Sequence, residues 1–147
     1  MEKRPAGITI LSFIYILIAV MGLTTNLSMP SSSWFATATF LVLAISAMGF
    51  FMGQKWAWWI IGTMTLFSII NNVPQLILVI KNADIIPEIQ KYYLKYGGKL
   101  IIQGLILFFM FSQPVIKFFA LENMTKAKLF LTLVAAAAVL FLIFYLL

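Results

Sequence analysis

Residues 6–23 read AGITILSFIYILIAVMGL, a run without a single charge. The hydrocarbon core of a bilayer is crossed by a helix of about 20 predominantly apolar residues. Lipid offers the backbone no hydrogen-bond partners, and a helix meets that demand within itself. The run is continuous rather than alternating, which speaks against a lipid-facing strand. Lys3 and Arg4 stand before it as interfacial charges, and Pro5 sits near the first turn, where an N–H is not needed. The run is longer than a signal-peptide core and no Ala-x-Ala site follows, so the expectation is an uncleaved transmembrane helix.

The rest of the chain repeats this pattern. It has 147 residues, 63% hydrophobic and 10% charged, with a mean hydropathy of +1.06. These values lie outside the range of soluble domains. Apolar runs fall at about residues 7–23, 34–52, 57–80, 100–113 and 128–147, with one longer polar connection at residues 81–99. The expected fold is all-α: a single polytopic membrane domain over residues 1–147, with four to five transmembrane helices and a short interfacial helix.

The uncharged residues 24–33 read as a turn between antiparallel helices. The second run is rich in small residues and ends in Gly49-Phe-Phe-Met-Gly53. In lipid, close backbone approach at small residues supplies helix packing, so Gly49 and Gly53 are expected at a helix contact. Lys55, Trp56, Trp58 and Trp59 follow, and indole beside a cation favours the headgroup level. The third run is the polar one. Thr65, Ser68, Asn72 and Gln75 recur at helical spacing on one face, bordered by Asn71 and broken into by Pro74. Unpaired amides in hydrocarbon cost several kcal/mol. This face is therefore expected to meet other helices, as packing glue or as a ligand face. A re-entrant break at residues 71–74 is the remaining alternative.

In the connection, Asp84 reads as a cap and Pro87 as an early helical residue. Ile85, Ile89, Tyr92 and Tyr96 recur at helical spacing beside a separate row of Lys91, Lys95 and Lys99, and Gly97-Gly98 reads as a C-cap. The expectation is an amphipathic helix at residues 85–96 lying in the interface as a surface connector, with Tyr92 and Tyr96 as anchors; a docking surface for a partner subunit or anionic lipid is the alternative. The fourth run carries Gln103, a candidate partner for the polar face. It breaks at Ser112-Gln-Pro114, and residues 115–119 return to the interface. The fifth run is smooth at Ala135, Ala136, Ala137 and Ala138, which suits close helix contact.

Orientation is weakly determined. With the N-terminus inside and five spans, six Lys/Arg lie inside and four outside; a re-entrant third run gives seven against three. Residues 57–80 are long enough to cross, so the expectation is five full spans with the N-terminus inside and the C-terminus outside.

Missing side chains narrow the function. The chain has no His and no Cys, and its acids are Glu2, Asp84, Glu88 and Glu122, all outside the apolar runs. Metal ligands, intramembrane proton relays and acid–base or nucleophilic sets are thus absent from every span. The expectation is a non-enzyme without cofactor or metal. The net charge of +6 comes from ten Lys/Arg set mostly beside apolar runs, which flanks a membrane rather than forming a nucleic-acid face. Asn26-Leu-Ser28 and Asn123-Met-Thr125 match a glycosylation pattern that is short and common.

The opening Lys3-Arg-Pro-Ala-Gly-Ile-Thr-Ile-Leu, the Gly53-Gln-Lys-Trp-Ala-Trp turn and the Ser112-Gln-Pro-Val-Ile-Lys-Phe-Phe119 segment stand in a meaningful order. In these, the chain resembles an uncharacterised family of small four-helix membrane proteins of archaea and bacteria that begin Arg-Pro-x-Gly-hydrophobic-Thr. The resemblance covers residues 3–119. It implies a four-span bundle, with the last run as an addition, and carries over no activity or functional residue. Small multi-span chains of this kind are similar to accessory subunits around archaeal membrane enzymes, such as a copper-dependent ammonia monooxygenase or a respiratory terminal oxidase. The expected partners are therefore other integral membrane subunits and membrane lipids. A small transporter, channel or ligand-binding protein using the polar face of the third run is the alternative.

Overall fold

The computed structural model describes residues 4–28, 33–83 and 88–146. They form six helices in the order α1 (Ala6–Ser28), α2 (Trp34–Phe51), α3 (Lys55–Lys81), α4 (Ile89–Met110), α5 (Gln113–Phe118) and α6 (Lys126–Leu146), with no strand among the described residues. Four helices, α1, α2, α3 and α6, are long and apolar enough to cross a membrane. The helical membrane bundle read from the sequence is the observed class.

The residues group into two compact units. One holds residues 1–61 and 112–123; the other holds residues 62–111 and 124–147. In the first, α1 and α2 pack as an antiparallel hairpin. Buried Ile8, Leu11, Ser12, Tyr15 and Ala19 make one stripe on α1, and Leu43, Ser46, Ala47, Gly49 and Phe50 make one on α2. Gly22 gives passage to the Phe40 ring, which lies 2.2 Å from where a Cβ would stand. Such approach is how membrane helices gain contact area.

The expected turn at residues 24–33 is corrected at its start, because α1 runs on to Ser28. The polar residues there satisfy themselves on the helix. The Thr25 and Ser28 hydroxyls donate to the Met21 and Thr24 carbonyls at 2.8 and 2.7 Å. Asn26 reaches out of α1 instead. Its amide donates to the Ser33 carbonyl at 3.0 Å and to Thr37 Oγ1 at 2.8 Å, while the Ser33 N–H donates to its Oδ1 at 3.2 Å. Asn26 thus ties the end of α1 to the start of α2.

The α2–α3 connection is a Schellman turn: Gly53 N–H donates to the Phe50 carbonyl and Gln54 N–H to the Gly49 carbonyl. Gly53 holds φ +74°, in the left-handed region. It therefore serves the turn, and it also lies at a helix contact as expected, with Phe118 of α5 2.8 Å from where a Cβ would stand. Gly49 packs as well: a Cβ there would stand 2.6 Å from the Trp56 ring and 3.0 Å from Ala57 Cβ. Phe118 lies over Gly53, and Phe119 stacks on Phe50 with ring centroids 4.7 Å apart, which docks α5 on this turn. Arg4 adds a cation–π contact over Phe51.

A second Schellman turn ends α5. Ala120 N–H donates to Lys117 and Leu121 N–H to Ile116, with Ala120 at φ +49°. Alanine pays a steric penalty there that glycine does not. Ala120→Gly is expected to raise stability by about 0.5–1 kcal/mol, the steric relief exceeding the added freedom of the unfolded chain. Equilibrium unfolding in detergent would measure it.

In the second unit, α3 carries on through Pro74 as one helix, so the re-entrant alternative does not hold. Gly62 is the point where α3, α4 and α6 converge; a Cβ there would meet Leu133 at 3.0 Å and Met110 at 3.2 Å. On α6, Leu129, Leu133 and Ala137 are buried at every fourth residue. Of the alanine patch, Ala137 is buried, Ala136 half-buried, and Ala135 and Ala138 exposed.

The connection after α3 departs from expectation. The interfacial helix at residues 85–96 and the span at 100–113 are one helix, α4, that begins at Ile89 and passes through Gly97 and Gly98. Glycine weakens a helix without ending it when neighbouring turns supply the hydrogen bonds. Asp84, Ile85 and Pro87, with the expected cap, lie outside the described residues. The apolar half of α4, residues 100–110, rises only about 16 Å. Its lysine-bearing half keeps it from the set of membrane-length apolar helices.

Candidate functional site

The stripe read on the third run is the strongest polar feature of the second unit, and α3 and α4 bring part of it together. The Gln103 amide on α4 donates to Ser68 Oγ on α3 at 2.5 Å. From the next turn of α3, the Asn72 amide donates to the Ser68 carbonyl at 2.7 Å and to Ser68 Oγ at 3.2 Å. The Ser68 oxygen therefore accepts from two amides, one on its own helix and one on the neighbour. All three residues are half-buried. The partnership of Gln103 with the stripe is thus present as a direct interhelical bond.

The remaining members divide. Asn71 turns back to its own helix and donates to the Phe67 carbonyl at 3.0 Å. It lies one turn before Pro74, where the ring removes an N–H from the helical ladder. Thr65 is buried at 4% exposure, with Thr63 also buried nearby. Gln75 is exposed and stands outside the cluster.

What this arrangement does chemically follows from its groups. Amides and hydroxyls donate and accept hydrogen bonds, and none titrates near neutral pH. The set can orient and hold but cannot carry a proton as a carboxylate or imidazole would. Among the described residues, no group of three or more His, Cys, Asp or Glu comes together. One acceptor is unmet: Gln103 Oε1 is buried and has no partner. A buried polar atom left so costs about 1–3 kcal/mol. Ser46 Oγ in the first unit is a second such atom.

The aromatic cluster after the α2–α3 turn is less uniform than its sequence. Lys55 is exposed, Trp56 is 44% exposed and Trp59 is half-buried. Trp58 is fully buried at 0% and stands edge-on to Trp59 at 5.0 Å. Its expected role as an anchor among the headgroups is corrected: successive helical positions point about 100° apart, and Trp58 takes the inward one. Tyr92 is exposed and Tyr96 half-buried on α4.

Gly62, Gly22 and the Asn26 tie were not singled out from the sequence. The two glycines carried a signal. Gly62 and Gly22 are lone glycines inside apolar helical runs, where a packing reason is the usual cause.

Comparison of the chain with family models, with curated proteins and with solved structures finds no match. The functional reading therefore rests on the residues.

Proposed function

We propose that this chain is a non-catalytic accessory subunit of a larger membrane complex, a multi-pass protein of the cell membrane. The observation that carries the reading is the Gln103–Ser68–Asn72 cluster. In it the Gln103 amide of α4 bonds Ser68 of α3, and Asn72 bonds the same serine from within α3, so these groups are spent on one another. Interhelical hydrogen bonds of this kind hold membrane helices together where no hydrophobic drive exists.

The lateral surface agrees with such a role. Only 17–22% of the residues in the most apolar stretches of α1, α2, α3 and α6 are buried within the chain. The remaining apolar faces are available to lipid and to neighbouring subunits. By analogy, the catalytic partner is a membrane enzyme of the kind named above, and the chain supplies helices beside its active site. Purification of a tagged chain in mild detergent tests this. The expected result is reproducible, stoichiometric recovery of membrane subunits; a clean monomer or homodimer without partners contradicts it.

One observation favours a second reading, a small transporter or ligand-binding protein. The unmet Gln103 Oε1 offers an acceptor to a small polar ligand or a water. Under that reading, replacing Asn72 and Gln103 by leucine removes a binding or transport signal while the fold persists. Under the structural reading, the fold weakens and no such signal exists to be lost.

A further inference from the structure

The N-terminal half of α4 is a helix that its own sequence does little to support. Gly97 and Gly98 lie inside it, and a Cβ at either would meet nothing within 4 Å. Glycine is the poorest helix former after proline, and here no close contact within the chain calls for it. Lys91, Lys95 and Lys99 repeat every fourth residue, and like charges at that spacing repel on a helix face. Among the described residues, Glu88 makes an ion pair with Lys91. Lys95 lies beside the Tyr96 ring, and Lys95 and Lys99 are both exposed.

The same stripe changes character along the helix. After Lys91, Lys95 and Lys99, the next positions on that side of α4 are Ile102, which is exposed, and Ile106, which is half-buried. Steps of four, four, three and four keep all five on one face. The face thus runs from cationic to apolar within a few turns. Glu88, Lys91, Tyr92 and Lys95 line an open hollow at its cationic end. The Gln103–Ser68 bond and the approach of Met110 to Gly62 set α3 and α4 antiparallel.

We propose that this face seats an anionic phospholipid. Lys95 and Lys99 take the phosphate, and the acyl chains lie along Ile102 and Ile106. A phospholipid matches both halves of the stripe, whereas free phosphate or an acidic loop matches only the first. A bound phosphate offsets the lysine repulsion, and the seated lipid orders a stretch that two glycines leave weak.

The test uses the full chain reconstituted in vesicles of phosphatidylcholine, alone or mixed with phosphatidylglycerol, followed by thermal unfolding and by amide exchange across residues 89–99. Phosphatidylglycerol is expected to raise the unfolding midpoint and slow exchange in that stretch. Lys95→Gln and Lys99→Gln together are expected to weaken the apparent affinity by about 25-fold, about fivefold per lysine near an anionic surface. Lys95→Arg with Lys99→Arg keeps most of it, which separates lost charge from lost folding. Equal protection by the two lipids overturns the proposal. So does an equal loss in Lys126→Gln/Lys128→Gln, which would mark a general surface-charge effect, or the same protection from inorganic phosphate in detergent without phosphatidylglycerol.

Discussion

Replacing Gly53 by valine is expected to lower the stability of the first unit by about 2–5 kcal/mol, the sum of two independent penalties. Gly53 holds φ +74°, where a residue with a Cβ loses about 1–2 kcal/mol and a β-branched one fits worst. A Cβ there would also stand 2.8 Å from Phe118 Cε1, so the added atoms press on the ring that docks α5. Overpacking of this kind costs about 1–3 kcal/mol. Neither the turn nor the ring can relieve the strain alone, because Gly53 and Gln54 both donate within the Schellman pattern. Gly53→Ala, with a smaller side chain, should fall between. Reversible unfolding in mixed detergent micelles gives the comparison. Wild-type stability in the valine variant would remove Gly53 from the turn.

Trp58→Ala is the second large effect, expected at about 3–5 kcal/mol. The indole is fully buried, so its loss opens a void rather than exchanging one lipid contact for another. Trp56→Ala, at a position 44% exposed, is expected to cost clearly less. The pair separates two readings of one aromatic cluster. If the rings acted only as headgroup anchors, the exposed tryptophan would matter as much as the buried one. Unfolding midpoints of both variants, measured in the same detergent, decide between them.

The fold class was legible because lipid leaves so few choices: uncharged runs near twenty residues long admit a spanning helix and little else. The polar stripe was legible for a related reason. Amides at helical spacing in an apolar run must face protein, and Ser68, Asn72 and Gln103 do. Gln75 shares their helical phase and is exposed, because phase alone does not say which positions along α3 are covered. Helix ends were the least legible. Residues 24–28 look like a turn by composition, yet their hydroxyls bond to carbonyls one turn back and prolong α1. Gly97-Gly98 looks like a stop, yet stopping requires a left-handed turn that the chain does not take there. Trp58 shows the limit from the other side. Its neighbours Trp56 and Trp59 are chemically the same, and only packing assigns the inward position.

The central claim is that the polar residues of α3 and α4 hold helices together, and a double-mutant cycle on Ser68 and Gln103 tests it most directly. Ser68→Ala alone is expected to cost about 1–3 kcal/mol, because it leaves the Gln103 amide without its partner. Gln103→Leu alone should remove the same bond. The double variant should be less destabilised than the sum of the two, with a coupling of about 0.6–2 kcal/mol. Strictly additive effects, or a double variant that folds as the wild type but loses a bound ligand or a transport signal, would contradict the claim.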